Sequence, residues 1–272
     1  MVGTPIGNLE DLSPRGRQAL AEADAIFCED TRVTAKLAAR FGLSARRISC
    51  PGPREESRVE ELLERLGRGE TVALVSDAGM PTLSDPGERL VEAASAAGHT
   101  VVVVPGPSAP AAALALSGLP AVPHTFLGFL PARQGERERL LESLRERRET
   151  LVWFESPHRI SGSLDSAARV LGARRACVAR ELTKIHEEAV RGTLPELAAV
   201  FQARGGGRGE ITIVVEGLQG EPAAAADDDV DARIREALAG GGALKALSKE
   251  IARRTNRPAR EIYKRALELA KS

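Results

Sequence analysis

The chain has 272 residues, with 38 basic and 38 acidic side chains and 43% apolar residues. Balanced charge with that apolar share excludes a disordered chain and a globally basic nucleic-acid packer, and the length suits a globular protein of two domains. No apolar run reaches the roughly 18 residues of a spanning helix, and residues 1–11 lack the basic head and apolar centre of a signal peptide, so a cytoplasmic location with no membrane partner is expected. Cys28, Cys50 and Cys177 are too widely spaced for a disulfide framework or a zinc site and read as buried thiols. Arginine outnumbers lysine 32 to 6, which suits phosphate recognition, while the 3% of aromatics excludes a ladder of base-stacking rings.

In chain order, β-rich runs fall at 25–28, 71–75, 100–104, 125–130, 150–154, 175–179 and 210–215. Helical segments separate several of them. Ser13-Pro14 opens one; Val59, Leu62, Leu63 and Leu66 form an apolar face before Gly67, and Leu90, Val91 and Ala94 precede Gly98. Ser156-Pro157 and the capping box Thr193-x-x-Glu196 open two more. The alternation predicts an α/β protein with mostly parallel sheets and a site in the loops at strand carboxyl ends. The break at 117–123 reads as an interdomain connection and 221–229 as a linker, so α/β domains are expected at 1–117 and 118–220. Residues 230–272 read as a basic helical hairpin: Leu244, Leu247 and Ile251 share one face, Asn256-Arg257-Pro258 turns the chain, and Ile262, Ala266 and Leu269 continue it. From Gly242 onward there are 9 basic and 3 acidic residues, so Lys245, Lys249, Arg253, Arg254 and Arg257 are expected to contact RNA.

The GxGxxG, GxxxxGK[ST] and GxSxG signatures are missing, which counts against dinucleotide enzymes, P-loop NTPases and α/β-hydrolases. Three loops that each begin where a strand is expected to end stand out instead. They are Gly3-Thr4-Pro5-Ile6-Gly7-Asn8-Leu9, Ser76-Asp77-Ala78-Gly79-Met80-Pro81 running on to Gly87, and Pro105-Gly106-Pro107-Ser108-Ala109. Small residues admit a close ligand, Asp77 can accept a hydrogen bond, and Ser108 opens a helix whose free N–H groups favour a carboxylate. Together they describe a cleft for a small zwitterion with a cationic centre.

The strings TPIGNLEDLS, CEDTR, VALVSDAGMPTLSDPG, VPGPSA, GFLP, FESPHR, ARELTKIHEE and RGEITIVVEG resemble the small-subunit ribosomal RNA methyltransferase I family, over residues 2–217, with 243–270 similar to its helical tail. The resemblance implies a class III, tetrapyrrole-methylase-like enzyme: two α/β domains with S-adenosylmethionine folded between them, assembled as a homodimer, methylating a cytidine ribose 2′-hydroxyl in the decoding region of free rRNA or of the assembled 30S subunit. It implies cofactor contacts at Ile6, Asp77, Met80, Ser108, Ala109 and Phe154, with Ile211 and Thr212 presenting backbone to the adenine. The family has a complete apolar strand before TPIGN, whereas only Met1-Val2 precede Gly3, which reads as a truncation or a late start codon. SCPGPRE at 49–55 and Met80 also depart from the family pattern.

Methyl transfer to a ribose hydroxyl needs in-line positioning and help in losing the proton. Candidates at strand ends are Glu29 and Asp30, with Arg32 able to meet a phosphate, Glu155 with Arg159, and Glu181 with Lys184. No side-chain cluster demands a metal. A tetrapyrrole methyltransferase on the same fold and a non-catalytic RNA-binding protein are the alternatives; the ELTK and SPHR strings and the basic tail favour RNA.

Overall fold

The computed structural model describes residues 1–219, 231–232, 234–235, 248, 251–252 and 259–269. The chain forms two compact units, Met1–Gly217 and Leu218–Ser272.

In the first unit, Ser13 caps α1 (Pro14–Ala21) by accepting the Gly16 N–H at 3.0 Å, with Pro14 in the first turn. β1 (Ala25–Cys28) leads through Asp30 into α2 (Thr31–Phe41), which Gly42 ends in the left-handed conformation. β2 (Arg46–Ser49), α3 (Val59–Gly67), β3 (Val72–Val75) and α4 (Glu88–Ala96) follow. The first sheet has the order β2-β1-β3 and is parallel throughout. Alternation along β1 sends Ile26 and Cys28 into a core with Leu20 of α1 and Leu37 of α2, and Ala25 and Phe27 into one with Leu62 of α3 and Leu90 of α4. Gly87 offers α4 no side-chain cap; the buried Glu55 carboxylate supplies it by accepting the N–H groups of Arg89 (2.7 Å) and Leu90 (3.2 Å). The unusual 49–55 loop thus has a structural task.

Beside β3, Val2 donates to Leu74 O at 2.9 Å, and Val2 and Val104 form a single parallel bridge. The run at 100–104, expected as a strand, contains only that bridge, and Val101, Val102 and Val103 are 38%, 61% and 49% exposed.

The second sheet is formed by β4 (His124–Phe129), β5 (Thr150–Glu155), β6 (Arg175–Arg180), β7 (Glu188–Thr193) and β8 (Ile211–Val215), in the order β4-β5-β8-β6-β7. Here the expectation of mostly parallel pairing needs correction: β4 and β5 are parallel, but β5-β8, β8-β6 and β6-β7 are antiparallel. The connection from β6 to β7 spans only 181–187, too short for the dozen or more residues of a parallel crossover. β7, half-exposed with a single β-branched apolar residue, carries no strong strand signal.

One face of this sheet packs Leu151, Trp153, Val178 and Ile213 against Leu141 of α6 (Gln134–Ser143), Leu164 of α7 (Ile160–Leu171) and Leu197 of α8 (Leu194–Ala203). On the other, Val152, Cys177, Ala179 and Val214 meet Ala113 and Leu114 of α5 (Ala109–Ser117), together with Ile6 from the first loop. α5, at the end of the expected first domain, thus packs on the second sheet. Cys28, Cys50 and Cys177 are all buried free thiols, as expected, and burial pushes their pKa values up, that of Cys50 to about 11.

In the second unit, Ile262 and Ala266 of α9 (Ala259–Leu269) share a small core with Ile234, Ile251 and Ala252, and Arg265 holds Asp231 through bonds of 2.9 and 2.6 Å. The linker 221–229, Leu244, Leu247, Lys245, Lys249, Arg253, Arg254 and Arg257 lie outside the described residues.

Candidate active site

The three small-residue loops converge. Thr4 and Gly79 exchange backbone hydrogen bonds of 2.8 and 3.1 Å, and the Thr4 hydroxyl donates to Ser76 O at 3.2 Å. Gly3 and Gly106 meet back to back: a Cβ at Gly106 would lie 2.7 Å from Gly3 O, and one at Gly3 would lie 2.7 Å from the Gly106 Cα. Any side chain there would prise the first and third loops apart.

These loops and the carboxyl end of β5 enclose a cavity of about 350 Å³, within the range of small-molecule sites, about 300–1,000 Å³. Ile6, Met80, Ser108, Ala109, Phe154, Ile211 and Thr212 all line it. Asp77 does not: its carboxylate accepts the Asp30 N–H at 3.0 Å. Asp85 lines the wall instead, together with Leu83, Ser84, Phe129, Glu155 and Glu210. Ile211 and Thr212 open β8 between β5 and β6, paired with both; they line the cavity at that strand end, the Ile211 side chain packing into the core under α6–α8.

One side of the site is acidic. Burial, then the neighbouring Asp77, Asp85 and Asp30, pushes the Glu29 carboxyl above its ordinary range; burial also raises Asp77 and Asp85, the latter with help from Asp77. Such a wall favours a cation. Opposite in sign is the start of α5, whose N-cap Ser108 makes no side-chain capping bond, so its hydroxyl and the first-turn N–H groups suit an anionic group.

The catalytic candidates separate clearly. Asp30 caps α2 through the Arg32 N–H at 2.8 Å and pairs with the Arg32 guanidinium at 2.6 Å. Those bonds pull its pKa down to about 2, too weak a base for a hydroxyl, and they occupy the fork that Arg32 would turn to a phosphate. Lys184 Nζ donates to Glu181 at 2.8 Å and to Glu210 at 3.1 Å, and Glu181 also accepts the Glu210 N–H at 3.0 Å. With Glu181 and Thr183 at positive φ, this loop clips the first loop in place through a 3.0 Å bond from Asn8 N–H to the Thr183 hydroxyl. Neither Glu181 nor Lys184 lines the cavity.

Glu155 does, and its side chain is wholly buried. One oxygen accepts the Ser156 N–H at 2.8 Å and faces Arg159 Nε at 3.3 Å, while Oε2 is buried without a partner. Arg159 is fixed in turn by donating to Leu130 O at 2.5 Å. Of the six candidates, Glu155 alone combines a cavity position with an unused acceptor. Sequence reasoning missed Leu83, Asp85 and Phe129 as lining residues; Asp85 lies in the continuation of the second loop and Phe129 in the GFLP string.

The Tetrapyrrole (Corrin/Porphyrin) Methylases family matches residues 1–198. Among curated relatives, the ribosomal RNA small subunit methyltransferase I of Mesorhizobium japonicum is 43% identical over 99% of this chain and 91% of its own length. The Mycobacterium tuberculosis protein of that name is 45% identical over 92% and 87%. That of Thermotoga maritima, 43% identical over 80% of this chain, is matched along 98% of its length, about the size of Met1–Gly217 alone. Solved structures share the fold: a cobalt precorrin-4 methyltransferase has a TM-score of 0.59 at 20% identity over 79% of this chain and 93% of its own, and diphthine synthase 0.57 at 16% over 79% and 88%. With its loops, cavity and near full-length matches in agreement, the chain belongs to the ribosomal RNA small subunit methyltransferase I family of the tetrapyrrole methylase superfamily.

Proposed function

We propose that the protein methylates the ribose 2′-hydroxyl of a cytidine in the decoding region of small-subunit rRNA, in the cytoplasm, with S-adenosylmethionine as methyl donor. The observation that carries this reading is the convergence of three loops and the β5 end on one cavity with an acidic wall at one side and a helix start at the other. When bound, the cofactor supplies an electrophilic methyl group on a sulfonium. Asp85, with Glu29 and Asp77 near it, favours that cation; Ser108 and the α5 amides hold the amino-acid carboxylate; Phe154, Ile211 and Thr212 wall the adenine. Glu155, oriented by Arg159 and with its Oε2 unpartnered, accepts the hydroxyl proton. A homodimer is the expected assembly, and light scattering tests it against the 28.9 kDa monomer.

The relatives with 43–45% identity carry an rRNA methyltransferase name, whereas the tetrapyrrole enzymes resemble this chain in fold alone, which favours RNA as acceptor. The test is transfer of labelled methyl to small ribosomal subunits, naked rRNA and a porphyrinoid. Label at a cytidine 2′-oxygen is expected; label in the porphyrinoid alone would overturn the reading. The basic tail is read as an RNA-docking module. Deleting 221–272 is then expected to leave cofactor affinity unchanged, raise the acceptor KM, and reduce the salt slope of RNA binding by about 0.7–0.9 for each phosphate that the tail neutralises.

A further inference from the structure

Phe129 is an anomaly. It is a large apolar ring, 56% exposed, in a chain with only 3% aromatics. Phe27, Trp153 and Phe201 are at most 1% exposed.

The backbone is specially shaped to put it there. β4 pairs with β5 in register up to Phe126 opposite Val152, but Phe129, not Gly128, stands opposite Phe154. One extra residue has been inserted, and Gly128 takes a φ of +63° at the irregularity. Strand alternation without the insertion would put residues 126, 128 and 130 on the Phe154 face and turn Phe129 away from the cavity. With it, Phe126 and Phe129 both meet the Phe154 ring, at centroid distances of 5.0 and 5.4 Å. The bulge is also locked. A Cβ on Gly128 would lie 3.1 Å from the hydroxyl of Ser84, so the second loop abuts it, and its neighbour Leu83 lines the same cavity at 45% exposure.

Two partly exposed apolar side chains, one from each sheet region, are therefore held in the lining that also includes Glu155, Phe129 against the ring of the half-buried Phe154. We infer that Phe129, with Leu83, is the platform on which the acceptor nucleobase stacks, so that the ribose of the same nucleotide reaches Glu155. This rests on the proposed RNA methylation. The adenine of the cofactor is the competing occupant of an aromatic wall. It is better served by Phe154, Ile211 and Thr212, of which the last two are 3% exposed and can exclude water; Phe129 presents an open face. A base–aromatic stack needs no hydrogen-bond readout, so Phe129 supplies position and not sequence choice.

The experiment compares Phe129→Ala and Phe129→Trp with the unaltered protein. Cofactor affinity is measured by calorimetry, folding by thermal melting, and kinetics with small ribosomal subunits as acceptor. Phe129→Ala should melt like the parent and bind S-adenosylmethionine unchanged, yet lose roughly 5- to 150-fold in kcat/KM for the subunit, the range for removal of one base–aromatic stack. Phe129→Trp should retain most of the activity, because its larger ring still stacks. An equal loss of cofactor affinity in Phe129→Ala would make the ring a cofactor wall and overturn the inference, as would an unaltered kcat/KM. If the unaltered protein methylates a porphyrinoid and no ribosomal subunit, the proposed function fails and the nucleobase platform with it. Activity on subunits that ignores Phe129 removes the platform alone.

Discussion

The first sheet is built from parallel strands of four residues, and its carboxyl ends carry Glu29, Asp77 and Asp85. The second has strands of five or six residues, mixed in direction, with β8 buried from end to end, and contributes Phe129, Phe154 and Glu155. A parallel sheet gathers its loops at one end, so short strands suffice to cluster three carboxylates whose mutual repulsion a bound cation relieves. The mixed second sheet, with β5 and β8 deeply buried at its centre, instead gives a fixed wall on which side chains hold their geometry. One side is thus suited to binding charge, the other to orienting an acceptor.

The strongest challenge to that division is Glu155→Gln. If the second sheet serves the acceptor, kcat should fall by about 10²–10⁴, the usual range for removal of a general base, with cofactor affinity kept; calorimetry beside single-turnover kinetics separates the two. Reduced cofactor affinity would instead merge the two roles.

Next comes the seam between the loops. Gly106→Ala places a Cβ against Gly3 backbone, and overpacking of this kind costs about 1–3 kcal/mol. The expected result is weaker cofactor binding and a lower melting temperature together.

Asp85→Asn separates affinity from stability. Burial raises the Asp85 pKa, so its ionisation is disfavoured in the fold. Asp85's contribution is then most favourable below the usual carboxylate pKa and is lost as pH rises through that value toward the raised one. At neutral pH the amide should therefore stabilise the ligand-free protein slightly, by under about 1 kcal/mol after solvent screening, while weakening the binding of S-adenosylmethionine more than that of its demethylated product, whose sulfur carries no charge. Melting at pH 7 and calorimetry with both ligands check the two signs.

The smallest effect is expected at Asp30. Its pKa is lowered to about 2, so its stabilising ion pair is present above the ordinary carboxylate pKa and is lost as pH falls through about 2. Asp30→Asn keeps a good helix cap and should differ from the parent in melting temperature at pH 6, converge with it near pH 2, and retain methylation. Loss of activity with intact melting would return Asp30 to the chemistry.

Local chemistry determined much of this protein before any fold was known. Ser13-Pro14, the Thr193 capping box, the buried thiols and the small-residue loops act through their immediate neighbours, and they occur where their residue types place them. Ile6, Met80, Ser108 and Ala109 line one cavity for the same reason, since a loop leaving a strand end carries its contents to the same edge, and Phe154, Ile211 and Thr212 line it from the ends of β5 and β8. Tertiary structure decided the rest. Asp77 was displaced from the lining by a bond to the Asp30 backbone, 47 residues away in sequence. The 100–104 run holds a single bridge, Val104 to Val2, rather than a ladder. β7 became a strand despite weak propensity because β6 offered it an edge. Glu155, Asp85 and Phe129 share a cavity because separate strand ends and a single inserted residue meet there. Pairing direction, register and long-range hydrogen bonds depend on which segments become neighbours, and no local window of residues contains that information.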